Sequence, residues 1–353
     1  MSRTMRRFLS GGMARRPFGN ALAPVLLLAL APVHGQEADR WRFRQFQLDN
    51  DYFPVPYTTP EDRFYTNGMR VSLGRGVFEP DTDGLPFWLR RVRKACAGCS
   101  IFPNFSIGHQ IYTPEDVGNS DPQPGERPWA AWLYAGFGAA VDTADRARHD
   151  IEVQIGVTGD LAGGEPGQRF WHDIANGPEA LGWDNQLGPD LGINGYYNFQ
   201  RILWSAEDEE VVDWDFVPSV KAAAGTMMTY AGVGGTVRIG RGIRDFPYSP
   251  IRPSERSVSV DVLPNLAIYG FIGADIRAVA YNYFLEGSLF RDEPVTVEPE
   301  RYVWDFHFGV TARFRRYNIT YAVVRRSEEF ERTVGNDSGI HTFTSVSLTV
   351  GFR

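Results

Sequence analysis

The chain has 353 residues, with 36 Lys or Arg against 43 Asp or Glu and a formal net charge of −7. That acidity argues against a nucleic-acid partner, whose phosphates demand a basic face. After the first 35 residues no run approaches about 18 consecutive apolar residues, which excludes a transmembrane helix and leaves a barrel of strands as the way this chain could reside in a membrane.

At the start, Arg3, Arg6, Arg7, Arg15 and Arg16 precede an apolar run over residues 21–32. The run is too short to span a bilayer, and Val33-His34-Gly35 offers small residues for cleavage, so residues 1–35 read as a secretory signal peptide and 36–353 as the mature barrel. Without those five arginines, 31 basic residues face 43 acidic ones, about −12. An exported barrel of this kind belongs in an outer membrane.

Segments of period-two alternation then follow in chain order. They cover residues 41–50, 66–75, 103–112, 128–141, 149–161, 188–200, 211–223, 227–239, 263–279, 301–315, 317–326 and 340–353. Twelve is an even number, as a single-chain barrel with both termini on one side requires. The expected fold is all-β: a twelve-stranded antiparallel transmembrane barrel, closed by one chain and monomeric. Ile151, Val153, Ile155 and Val157 alternate with Glu152, Gln154, Gly156 and Thr158, and Trp304, Phe306, Phe308 and Val310 with Asp305, His307 and Thr311. The last strand separates Val346, Leu348, Val350 and Phe352 from Ser345, Ser347, Thr349 and Gly351. A soluble antiparallel sandwich would show the same parity with its faces exchanged. The signal segment, the strand count and the aromatic beside the C-terminus favour the barrel.

With a periplasmic N-terminus, the connections 51–65, 113–127, 162–187, 281–300 and 327–339 lie at the cell surface. The connections 76–102, 142–148 and 204–210 lie in the periplasm. Cys96 and Cys99 fall in the first of these, where an oxidising compartment favours a local disulfide. No βαβ pattern supports a redox role, and no second cysteine pair completes a zinc site.

Polar residues cluster in the surface connections. LDNDYF from Leu48 and DRFYTNG from Asp62 bring Asp49, Asn50, Asp51, Asp62, Thr66 and Asn67 to two adjacent strand ends. Oxygen-only donors suit a hard cation such as calcium, and equally they are ordinary hairpin-end residues. The connection 162–187 carries QRFWH, in which Gln168 and His172 would share a face of a short helix over residues 167–175. Histidine is the side chain best suited to take a proton near neutral pH, although a lone loop histidine is more often a surface residue. Its rival at the same rim is His341, which reads as an interfacial side chain. Neither a GxSxG elbow nor an HExxH zinc motif occurs, so water activated by histidine beside a cation is a better expectation than an acyl-serine.

Five segments in order resemble the outer-membrane lipid A 3′-O-deacylase family: LDNDYF, DRFYTNG, IGHQIYTPEDV at Ile107, ERPWAAWLYAGFG at Glu126, and QRFWH with GWDNQL. The resemblance implies a twelve-stranded barrel in which lipid A, as part of lipopolysaccharide, loses its 3′-acyloxyacyl group by calcium-dependent ester hydrolysis near the outer surface, among outer-membrane lipids. It also implies that His172 is the base, that Asn50 and Asp51 form the Asn-Asp pair beside calcium, and that Thr66 and Gln168 complete the site. Two departures stand out. Pro178 occupies the place of a glutamate found in some members, with Glu179 one position later as its possible substitute at the metal. A lysine found in some members after the IYTP-like segment has no counterpart, because no Lys occurs between Lys94 and Lys221. The competing readings are a phospholipase acting on glycerophospholipids and a non-enzymatic pore or binding barrel.

Overall fold

The computed structural model describes residues 42–51, 63–76, 85–96, 98–175, 177–206, 212–243, 246–247, 266–331 and 339–352; the expected signal peptide and Asp62 lie outside them. The wall consists of β1 (Arg42–Asn50), β2 (Phe64–Arg75), β3 (Ser100–Thr113), β4 (Ala130–Asp142), β5 (Ala147–Val157), β6 (Leu191–Arg201), the three-residue β7 (Trp204–Ala206), β8 (Asp213–Gly225), β9 (Met228–Arg241), β10 (Leu266–Asn282), β11 (Tyr302–Phe314), β12 (Tyr317–Arg326) and β13 (His341–Phe352). Every pairing is antiparallel. The ring closes where β1 pairs with β13, from Arg42↔Phe352 to Asn50↔Thr344, and β6 bridges to β8, from Asn194↔Gly225 to Gln200↔Ser219. β7 continues the β6 ladder along β8 at Trp204↔Phe216, so the barrel has twelve full strands, the number expected.

Among the described residues closure pairs each of the twelve full strands on both sides, which is what lets strands cross hydrocarbon with their backbone groups satisfied. No helix among the described residues is long and apolar enough to cross a membrane. The two faces of the wall divide as the alternation implies. Ile151, Val153 and Ile155 are exposed on the outside, as are Trp304, Phe308 and Val310, while Glu152, Gln154, Asp305 and His307 are buried inside. Charge inside and apolar groups outside is the reverse of a soluble sandwich, and it is the arrangement a lipid-facing wall requires.

Side chains fill the lumen. Arg70 pairs with Glu152, Lys221 Nζ lies 2.9 Å from Asp275 Oδ1, and Arg238 holds Asp215 through two guanidinium nitrogens. Near the rim that carries Asn50, an aromatic layer of Tyr65, Tyr112, Trp132, Tyr134, Phe284 and Phe343 is buried, with the Tyr112 and Phe284 rings stacked at 4.2 Å.

Among the described residues three α-helices decorate the barrel: α1 (Phe87–Ala95), α2 (Gly164–Ala175) and the single turn α3 (Tyr283–Glu286). α2 is the expected loop helix, begun three residues earlier. The other two were expected only as connections. α3 forms because Asn282 caps it, its side chain accepting from Phe284 N at 3.1 Å, and the cap drops Phe284 and Leu285 into the lumen mouth. Cys96 and Cys99 form the expected disulfide, just beyond α1.

Candidate active site

Strand parity and one bulge build the site. In β1, Gln47 and Asp49 point into the lumen, where Gln47 Nε2 donates to Asp49 Oδ1 and to Ser345 Oγ. Asn50, one residue on, therefore takes the membrane-facing side. The β2–β3 ladder passes from Tyr65↔Tyr112 directly to Asn67↔Ile111, leaving Thr66 as the extra residue of a bulge. The bulge keeps Tyr65 in the lumen, its hydroxyl donating to Asp49 Oδ2 at 2.8 Å, and presents Asn67 on the same outward side as Asn50.

Asn50 and Thr66 form one unit. Asn50 Nδ2 donates to the Thr66 carbonyl at 3.2 Å, and the Thr66 and Thr113 hydroxyls are 2.7 Å apart. Asp51 caps the same turn from the other direction: its Oδ2 accepts from Arg63 N at 2.8 Å and lies 3.8 Å from His341 Nε2. Before the bulge, Phe64 holds φ +69°, a left-handed conformation that costs a bulky residue about 1–3 kcal/mol. Packing pins it there, with the Phe330 ring edge-on at 5.4 Å. Asp49 was expected in the same oxygen cluster, but the alternation sends it to the lumen.

The second half of the site rides on α2, which lies against the outward face of β3 and β4. Two glycines three residues apart make that approach possible. A Cβ at Gly164 would stand 2.9 Å from Ala131 Cβ, and one at Gly167 would stand 2.8 Å from His109 Cε1 and 3.3 Å from Ile111 Cδ1. Gln168 is thereby fully buried, and His172 is partly buried. Because Ile111 pairs with Asn67 and also lies under Gly167, strand β3 carries the Asn50–Thr66 unit and the Gln168–His172 pair on one face of the wall.

Donor inventory sets the protonation of His172. Trp183 Nε1 can only donate, and it does so to Gln168 Oε1 at 2.8 Å. The amide nitrogen of Gln168 must then face His172 Nε2, 3.3 Å away, which leaves that ring nitrogen as the acceptor. The ring proton sits on Nδ1 and is donated to the Pro178 carbonyl. Nε2 is therefore the basic atom. Position 178, where some relatives are expected to carry a glutamate, contributes its backbone oxygen, and Glu179 is exposed.

His341 was expected at the interface and is instead 1% exposed in the lumen mouth, between the rings of Phe64 at 5.8 Å and Phe343 at 5.6 Å. The reason is parity, since residues 341, 343 and 345 share the inward face. Among the described residues no group of three or more His, Cys, Asp or Glu side chains is placed to hold a metal. The oxygen donors beside Asn50 are mostly neutral. They include the Thr66 hydroxyl and the buried Asn67 Oδ1, which has no hydrogen-bond partner among the described residues, with the Asp51 carboxylate at the edge. Trp183 stands within GWDNQL, and no spacing in the sequence links it to a glutamine fifteen residues earlier.

The family model described as "Outer membrane protein LpxR" matches residues 22–352. Among solved structures, LpxR from Salmonella typhimurium superposes with a TM-score of 0.68 at 21% identity, covering 87% of this chain and 99% of that one. The β domain of the Bordetella autotransporter BrkA matches at a TM-score of 0.39 and 8% identity, covering 88% and 98%. The translocator domain of NalP from Neisseria meningitidis gives 0.38 and 9%, covering 94% of each chain. No curated relative matches.

Proposed function

The chain belongs to the outer membrane protein LpxR family, and from that membership together with the geometry of α2 we propose that it is a lipid A deacylase hydrolysing the 3′-linked acyloxyacyl ester at the outer rim. One observation carries the reading: a buried Gln168 and a histidine whose basic atom is Nε2 lie on the membrane side of the wall, against β3. An ester held at the bilayer surface reaches this base without leaving the lipid.

In the proposed reaction water displaces the long Gln168 amide contact at His172 Nε2, that nitrogen takes a proton from the water, and the water oxygen bonds to the ester carbonyl carbon. The tetrahedral intermediate then collapses with cleavage of the bond to the sugar 3′-oxygen. That oxygen leaves with the proton returned by His172, so the products are a fatty acid and a sugar hydroxyl. The Nδ1–H bond to the Pro178 carbonyl keeps the imidazole in the right tautomer throughout. The second amide hydrogen of Gln168 and the Thr66 hydroxyl are candidate donors to the oxyanion, and losing one such donor typically costs about 10²- to 10³-fold in rate.

Calcium fits the oxygen donors on this face: the Asn50 and Asn67 amides and the Asp51 carboxylate would hold it, and the exposed Glu179 is a further carboxylate on the loop after α2. When bound, such a cation supplies charge stabilisation to the ester carbonyl. The expected outcome is that mass spectrometry of lipid A shows the 3′-acyl group missing only in cells that carry the gene. Chelation should stop the reaction in vitro and calcium should restore it. Unchanged lipid A with released glycerophospholipid acyl chains would instead identify a phospholipase, and equal support by zinc would refute the hard-cation site.

A further inference from the structure

At the rim opposite α2, the same two strands carry a second helix. Leu85 and Leu89 are buried with Ile101, Ala139, Val141 and Cys99. Ile101 has the parity of the exposed Ile107, and Ala139 and Val141 that of the exposed Leu133 and Phe137. α1 thus lies on the membrane-facing surface of the barrel, outside the lumen. From Ile101 to Ile111 is ten residues, about 33 Å along a strand and about 25 Å when tilted as barrel strands are. That is the height of a barrel's apolar band, so α1 and α2 stand at its two edges.

The outward face of α1 has a defined composition. Phe87 is 76% exposed and Trp88 37%, and Arg90, Arg91 and Lys94 are also exposed. The fourth cation, Arg93, is buried and donates to the Cys99 carbonyl, and the disulfide closes the segment onto β3. In water an exposed Phe-Trp pair is a liability. At the edge of a lipid belt it is an anchor, and three cations beside it complement phosphate headgroups.

We propose that α1 is an interfacial helix that binds anionic phospholipid of the leaflet opposite the α2 site, with Phe87 and Trp88 at the acyl boundary and Arg90, Arg91 and Lys94 on the phosphates. The side of the membrane rests on the placement of the α2 site at the outer rim, but the binding itself does not.

The test uses the full barrel in neutral detergent, titrated with phosphatidylglycerol or phosphatidylcholine and read by native mass spectrometry. Wild type should bind phosphatidylglycerol at least tenfold more tightly, with an affinity that falls as salt rises. The variant R90Q/R91Q/K94Q should lose that preference while keeping its heat-modifiable barrel, since Leu85, Leu89 and the disulfide are untouched. In vesicles, brominated acyl chains should quench wild-type fluorescence more than that of Trp88→Phe. Equal binding of the two lipids, a preference retained by the triple variant, or no quenching difference at Trp88 would each overturn the proposal. Deacylation by the triple variant should match wild type, so failure of the catalytic reading registers separately.

Discussion

At the scale of single residues, the decisive contact is a hydrogen bond that fixes an amide. Trp183→Phe leaves a smaller aromatic ring in place and removes the donor to Gln168 Oε1, which frees the amide to turn its oxygen toward His172. One such bond is worth about 1 kcal/mol, so kcat should fall about fivefold to tenfold while KM changes little. A variant with wild-type kcat and pH profile would show that Trp183 only packs. His172→Ala should remove turnover from a folded barrel, while His341→Phe, which preserves the buried ring between Phe64 and Phe343, should stay within a few-fold of wild type. Full activity in His172→Ala would overturn the assignment of the base.

Glu329 makes a second residue-scale case, in the connection after β12. Its Oε2 accepts from Arg127 at 2.7 Å, and Arg277 and Arg326 approach Oε1 at 3.4 Å. Burial alone would raise its pKa, but Arg326, Arg127 and Arg277 outweigh burial and hold the carboxyl below the usual range. A depressed folded value means that this stabilisation is complete above the unfolded carboxylate range near about 4.3 and is lost as pH falls through the lower folded value. The urea midpoint should be level from pH 7 to about 5 and drop below about 4. Glu329→Gln should flatten that acid limb and cost about 3 kcal/mol at neutral pH, because it leaves buried guanidinium groups without their anion. An unchanged acid limb would remove Glu329 from the explanation.

Among the elements, α2 depends on the closeness of its seat on β3. Gly167→Val would drive a side chain into His109 and Ile111, so the helix must lift and carry Gln168 and His172 with it. Catalytic efficiency should fall by about 10²-fold or more with an unshifted melting point, since the strand ladder is untouched. Native activity in this variant would mean that the seat can yield. QRFWH declared this helix by its spacing, whereas α1 and α3 went unseen, because a nine-residue and a four-residue helix leave little periodic trace among turn residues. The Thr66 bulge was equally invisible. One inserted residue does not disturb an alternating pattern enough to be read, yet it decides which side of the wall Asn67 faces.

For the molecule as a whole, the filled lumen sets what the barrel can do. Arg70–Glu152, Lys221–Asp275 and Arg238–Asp215 occupy the interior, and the aromatic layer with α3 closes one mouth. Reconstituted in planar bilayers, the protein should show no steady open-channel conductance; a stable channel would favour the pore reading over a catalyst built on the outside of the wall.

The amino-acid sequence by itself determined the barrel, its twelve strands and the division of the regular strands into an apolar and a polar face. Alternation of period two is a local property, and a membrane rewards only one way of burying it. The QRFWH spacing likewise placed Gln168 beside His172. What the tertiary structure alone decided is which polar residues meet. Asp51 comes within 3.8 Å of His341 only because β1 closes on β13, and Asn67 faces the same side as Asn50 only through the β1–β2 register. Trp183 reaches Gln168 across fifteen residues because two glycines let α2 lie flat on β3. Such meetings depend on ring closure, register and helix seating, and these are properties of strands far apart in the chain that no local pattern records.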